Sequence, residues 1–183
     1  MSRTTIKFSI ILATVLFAPH VLGLSTDREQ PINIEADQAE ADDSLGVTIY
    51  RGDVIITQGS MRILGDTVTI HFDNNQDITK VVATGRPAKF RQKPDGEVDF
   101  QNAEANTLEF YTAKDTIVML GEAHSWQGDN RIKAEKIVYD TKAGKVKAES
   151  LTALDGETSS EDGESSTRVS ITIAPKKKAA AQE

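Results

Sequence analysis

Few residues in this 183-residue chain are equipped for chemistry. Of its three histidines, His20 lies in an apolar leader, and His71 and His124 stand far apart on stretches with strand character. A transition-metal site needs three or four converging ligands, commonly imidazole and thiolate. Two histidines and no cysteine supply a poor set, and both are expected as exposed side chains on a sheet. Glycoside hydrolysis would require a positioned pair of carboxylates. The adjacent acids Asp42-Asp43 and Glu161-Asp162 fall in turn-like or flexible stretches, where solvation accounts for them. There is no G-x-S-x-G elbow, no P-loop and no H-E-x-x-H. Trp126 is the only tryptophan, which leaves little material for a sugar-stacking platform. The residue inventory argues against an enzyme and for a binding or structural protein.

The elements that carry these residues are repeated. Residues 34–73 and 103–142 align without a gap at an offset of 69, with eight identities in forty positions. Glu35-Ala36 returns as Glu104-Ala105, Glu40 as Glu109 and Gly52 as Gly121. Gln58-Gly59 returns as Gln127-Gly128, and Arg62-Ile63 as Arg131-Ile132. A catalytic centre is a single asymmetric cluster, whereas a duplicated turn-and-strand pattern builds a wall or a surface.

Around the repeat, turn signals come at short intervals: Gly52, Gly59, Gly65, Asp73-Asn74-Asn75, Gly85, Pro94-Asp95-Gly96, Gly121, Gly128 and Gly144. Between them lie β-branched stretches such as Val54–Thr57, Thr67–Phe72, Thr116–Leu120 and Lys136–Tyr139. This spacing predicts an all-β fold of many short antiparallel strands. Pro94-Asp95-Gly96 is the best hairpin candidate, with proline presetting φ and glycine accepting a positive one. Glu35–Asp43 and Ala103–Phe110 are rich in alanine and glutamate, which favour helix locally. They lack a sustained i, i+3, i+4, i+7 stripe and occupy equivalent repeat positions, so both are read as strands.

The ends of the chain differ from its middle. Arg3 and Lys7 precede an apolar run, Phe8–Phe17, and Val21-Leu22-Gly23 offers a cleavage site, so residues 1–23 read as a signal peptide. The run is shorter than the ~20 residues of a spanning helix. Losing Arg3 and Lys7 moves the net charge from −7 to −9, too acidic for a general field that attracts nucleic acid. The main domain is expected over 24–154, and residues 155–167 as an acidic Ser/Gly-rich connector. Residues 168–174 alternate as a final strand, and 175–183 form a basic and alanine-rich tail expected to be disordered.

The ordered set Gln30–Gln38, Gly52–Gly59, Gly65–Val68, Ala113–Asp115, Leu120-Gly121 and Ile132–Ile137 resembles the OstA-like family of periplasmic lipopolysaccharide-transport proteins. The resemblance covers about residues 30–150 and departs in the long acidic stretch 155–167. It implies a twisted, open-ended β-jelly roll of about sixteen short antiparallel strands, in the periplasm, without cofactor or metal. It also implies a link in a head-to-tail protein bridge that carries lipopolysaccharide from inner to outer membrane. The partners implied are an LptC-like inner-membrane subunit, the N-terminal domain of an LptD-like outer-membrane translocon, and further copies of the chain. Shielding acyl chains dominates such transport, because each buried methylene is worth about 0.8 kcal/mol. Candidate lipid contacts are therefore the apolar positions of the alternating strands: Ile32, Ile34, Val54, Ile56, Val68, Ile70, Phe72, Phe90, Phe110, Ile132, Ile137 and Tyr139. Ile32 and Ile34 rank first, being expected at an open edge. Arg62 and Arg131 are read as braces between strands rather than phosphate ligands. The competing readings are an LptC-like subunit that keeps its N-terminal anchor, and an envelope β-scaffold or adhesin without lipid cargo.

Overall fold

The computed structural model describes residues 25–150 and 168–175; the expected leader, connector and residues 176–183 of the tail lie outside them. A short helix, α1 (Ser25–Arg28), precedes β1 (Ile32–Glu35), β2 (Gln38–Asp42), β3 (Val47–Gln58), β4 (Met61–Phe72) and β5 (Ile78–Gln92). Then follow β6 (Gln101–Tyr111), a 3-10 turn (Thr112–Lys114), β7 (Thr116–Gln127), β8 (Asn130–Asp140), β9 (Lys145–Glu149) and β10 (Ser170–Thr172). All belong to one antiparallel sheet, and from β3 to β8 spatial order follows chain order. β1 and β2 share the outer edge of β3, while β9 and β10 share the outer edge of β8.

Each long strand is interrupted near its middle. Five register shifts fall at Arg51/Val54, Leu64/Thr67, Thr84/Ala88, Glu104/Thr107 and Leu120/Ala123, forming one row across the sheet, and a sixth lies at the end of β4, at His71/Phe72. An extra residue bends a strand and deepens its twist, so the row folds the sheet over into two layers. The lower layer holds the strand ends near Gln58, Gln92 and Gln127, and the upper holds those near Phe72, Tyr111 and Asp140. Lower-layer Ile63 and Phe90 border the same small void as upper-layer Val81, Leu108 and Ile117, so the layers pack face to face.

Burial follows the bend. In β4 the buried positions are Met61 and Ile63, then Val68 and Ile70; in β5 they are Val81 and Ala83, then Ala88 and Phe90. Side chains alternate with period two, so an odd-numbered step at the bend is what keeps both halves facing inward. Ile70, Ile117, Met119, Ile137, Val54 and Val68 are the largest fully buried side chains.

Gly52, Gly65, Gly85 and Gly121 thus lie inside β3, β4, β5 and β7 at the bends, not at turns between short strands. The fold is all-β as expected, with ten described strands. Counted as two halves each, the six long strands together with the four short ones reach sixteen. Pro94-Asp95-Gly96 does form a turn, with Glu97 N–H donating to the Pro94 carbonyl at 3.2 Å. Proline occupies its first position, so the turn's geometry rests on Asp95 and on Gly96 at φ 73°. Ala103–Phe110 lies within β6, where burial of Ala103, Ala105 and Leu108 in the core overrides the local helix preference. Glu35–Asp43 holds the end of β1 and the whole of β2, which is largely exposed and is held as strand by its pairing with β3.

The duplication is physical. β3 and β7 begin 69 residues apart, as do β4 and β8, and β6 stands where β1 and β2 stand together. Gly52-Asp53 and Gly121-Glu122 all have positive φ. The Asp37 side chain packs on Gly52 as Asn106 packs on Gly121, leaving no room for a Cβ at either glycine. Gln58 Nε2 donates to the Gln30 carbonyl at 3.1 Å, and 69 positions on Gln127 Nε2 donates to the Asp99 carbonyl at 3.4 Å. Both glutamines end at hairpin turns, as the repeat predicts.

Candidate functional site

The two layers do not meet along their whole length. On the side where strand ends converge they enclose a cavity of about 860 Å³. Its apolar wall comes from Ile56 in β3, Met61, Ile63 and Ile70 in β4, Ile78 and Val81 in β5, and Phe110 in β6. Ile32 of β1 stands at the border, 42% exposed. Polar groups ring the opening: Gln58, Asp77, Gln92, Thr112, Asp115, Thr141 and Lys142. Apolar walls with a few polar groups at the rim are the usual makeup of a small-molecule site.

A strap crosses the opening. The Asp27 carboxylate accepts from Ser60 N at 2.7 Å, from Ser60 Oγ at 2.6 Å and from Gln92 Nε2 at 3.0 Å, all on the lower layer. The next residue, Arg28, forms an ion pair with Asp115 and donates to the Thr112 carbonyl at 3.5 Å, both on the upper layer. Partial burial pushes the Asp27 carboxyl up, but the Ser60 and Gln92 bonds prevail and hold it below its ordinary pKa. Two consecutive residues therefore tie the converging strand ends together beside the cavity.

Of the twelve positions expected from sequence, Ile32, Ile56, Ile70 and Phe110 line the cavity. Val54, Val68, Phe90 and Ile137 are buried in the core and do not reach it, and Ile34, Phe72, Ile132 and Tyr139 pack against that core. Met61, Ile63, Ile78 and Val81 were missing from the sequence reading. Taking Gly65 as a turn separates Met61 and Ile63 from Val68 and Ile70. Taken as a bend, Gly65 joins the four on one inward face.

The histidines lie on strands, but neither is an exposed side chain: His71 is half-buried and His124 more closely packed. It is 16% exposed, stacks on Trp126 at 4.7 Å between ring centroids, and sets Nδ1 3.3 Å from Glu104 Oε1. Among the described residues, no group of three or more histidines and carboxylates is placed to hold a metal ion. No described helix is long and apolar enough to cross a membrane.

The family model for "LptA/(LptD N-terminal domain) LPS transport protein" matches residues 33–145, from β1 to the start of β9. The chain belongs to this LptA/LptD N-terminal domain family. It is 40% identical over 168 residues to the lipopolysaccharide export system protein LptH of Pseudomonas aeruginosa, covering 92% of this chain and 93% of LptH. It is 32% identical over 146 residues to LptA of Escherichia coli, covering 78% of each. It is also 34% identical over 122 residues to the LPS-assembly protein LptD of Vibrio cholerae, where the match spans 64% of this chain and 14% of LptD. The crystal structure of P. aeruginosa LptH superposes with a TM-score of 0.70 at 38% identity, over 82% of this chain and 99% of that one. That LptH is described as the LptA-homologous periplasmic component of the lipopolysaccharide transport device. The chain thus shares its fold with a solved relative.

Proposed function

We propose that this chain is a periplasmic lipopolysaccharide carrier that shelters lipid A acyl chains between its two layers. It hands them on as one link of a head-to-tail bridge from inner to outer membrane. The cavity carries this reading: its apolar wall of isoleucine, methionine, valine and phenylalanine suits an acyl chain and offers little to a sugar or nucleotide. Ten methylenes removed from water contribute roughly 8 kcal/mol, so apolar contact outweighs the penalty of bringing an anionic lipid to a chain of net charge −7, or −9 without residues 1–23. The partners proposed are an LptC-like subunit and an LptD-like N-terminal domain at the two ends, with copies of the chain between.

A photo-crosslinking residue at Ile32 or Ile63 should capture lipopolysaccharide in living cells, while one at Leu45, exposed at the β2–β3 turn, should not. Absence of a lipid adduct at both cavity positions, in a protein that still folds, overturns the reading.

A further inference from the structure

The two free edges of the sheet are matched to each other, row by row. β1 and β2 both run upward along the incoming edge, from Ile32 beside Gln58 to Asp42 beside Val47. β9 and β10 both run downward along the outgoing edge, from Lys145 beside Asp140 to Thr172 beside Arg131. A second copy in the same orientation would set upward strands against downward ones, so antiparallel pairing continues across the junction. β2 would meet β9 in the upper layer, and β1 would meet β10 in the lower.

Cross-strand partners can be followed through the sheet from one edge to the other. The row that begins at Asp42 ends at Lys145, the row at Glu40 ends at Lys147, and the row at Gln38 ends at Glu149. In the lower layer the row of Ile34 ends at Ile171, which is 59% exposed. The incoming stretch 35–43 carries five acids and no base, and 142–149 carries three lysines and one acid. Glu40 has Arg51 at 3.2 Å and Lys147 has Glu149 at 2.5 Å, but Glu40 and Lys147 are themselves 70% and 74% exposed, which leaves each room for a further charge.

We infer that copies of this chain join in register. Glu40 and Asp42 of one copy face Lys147 and Lys145 of the next on the outer face, and Ile34 faces Ile171 on the inner face. Opposite charges directly across strands attract and like charges repel. The same pattern therefore penalises the symmetric alternatives, in which two acidic edges or two lysine edges meet. An interface between unlike edges propagates instead of closing. This inference rests on the bridge reading, and adds to it the register and the charge code that sets its direction.

The chain has no cysteine, so single cysteines report the register. Under mild oxidation, a mixture of E40C and K147C should yield a cross-linked pair, because directly opposed Cβ atoms lie within about 5 Å. Neither variant should cross-link with itself. In sedimentation, E40K and K147E should each weaken self-association about threefold, and an equal mixture should regain wild-type strength. Self-linking of E40C, no linking in the mixture, or no recovery on mixing charge variants overturns the register while leaving an associating wild type, and the bridge, intact. A wild-type chain that stays monomeric at every concentration overturns both.

Discussion

Replacing Gly121 with alanine tests the bend that creates the two layers. Gly121 sits at φ 75°, and a Cβ there would lie 2.7 Å from Asn106 Nδ2 and 3.1 Å from Asn106 Cβ. Asn106 cannot easily retreat, since β6 is paired on both sides. The left-handed backbone costs an L-residue about 1–2 kcal/mol, and forcing a methyl into a packed site adds about 1–3 kcal/mol. Gly144 separates the two effects: it has φ 64° and nothing within 4 Å of its would-be Cβ. Gly144→Ala should therefore cost about 1 kcal/mol, and Gly121→Ala about 3 kcal/mol. Urea unfolding followed by the fluorescence of Trp126 reads both. With an m-value of about 2 kcal/mol/M, the midpoints should fall by about 0.5 M and 1.5 M. Equal losses in the two variants would refute the claim that the Asn106 contact holds the bend.

Two further outcomes follow from the charged contacts. Glu109 accepts from Lys80 at 2.8 Å and from Tyr111 Oη at 2.7 Å; partial burial pushes its pKa up, but these bonds prevail and lower it. Its contribution is therefore present above the ordinary glutamate pKa and lost as pH falls through the lowered one. Glu109→Gln should cost about 1 kcal/mol at pH 7 and progressively less as pH falls below the ordinary glutamate pKa; a cost that stays constant down the acid range, by urea unfolding, would refute it. Asp27→Ala removes the bond from the Ser60 amide, which a charged acceptor makes worth about 1.5 kcal/mol. That amide should exchange with deuterium about tenfold faster, and unchanged protection would mean that the strap does not hold the strand ends.

Much of the architecture was legible because its causes are local. β-branched alternation marks β4 and β7, and the 69-residue repeat marks which strands and hairpin turns are equivalent. The strand assignment of Glu35–Asp43 and Ala103–Phe110 also followed from the repeat, against their composition. What was not legible is the difference between a glycine that ends a strand and one that bends it. Gly59 and Gly65 look alike in sequence, yet Gly59 turns the chain and Gly65 passes between neighbouring strands with the Thr84 carbonyl 2.9 Å from its would-be Cβ. That ambiguity hid the inward phase of Met61 and Ile63, and with it half of the cavity wall. The strap was hidden for another reason. Asp27 and Arg28 draw their meaning from Ser60, Gln92 and Asp115, contacts that no local pattern encodes.

The meander of the sheet also bears on how the chain reaches its native state. From β3 onward, each strand through β9 pairs with the one made just before it, so closing each hairpin requires only a short loop and a small entropic cost. All-β proteins are slow when their pairings are remote in sequence, and this topology avoids most of that delay. A chain that enters a compartment end first can zip up strand by strand in the order of its arrival. β10 is the exception, since it returns to β8 only after residues 150–169. Its three residue pairs should form last in refolding and open first in hydrogen exchange, so the outgoing edge ripens after the rest of the sheet is complete.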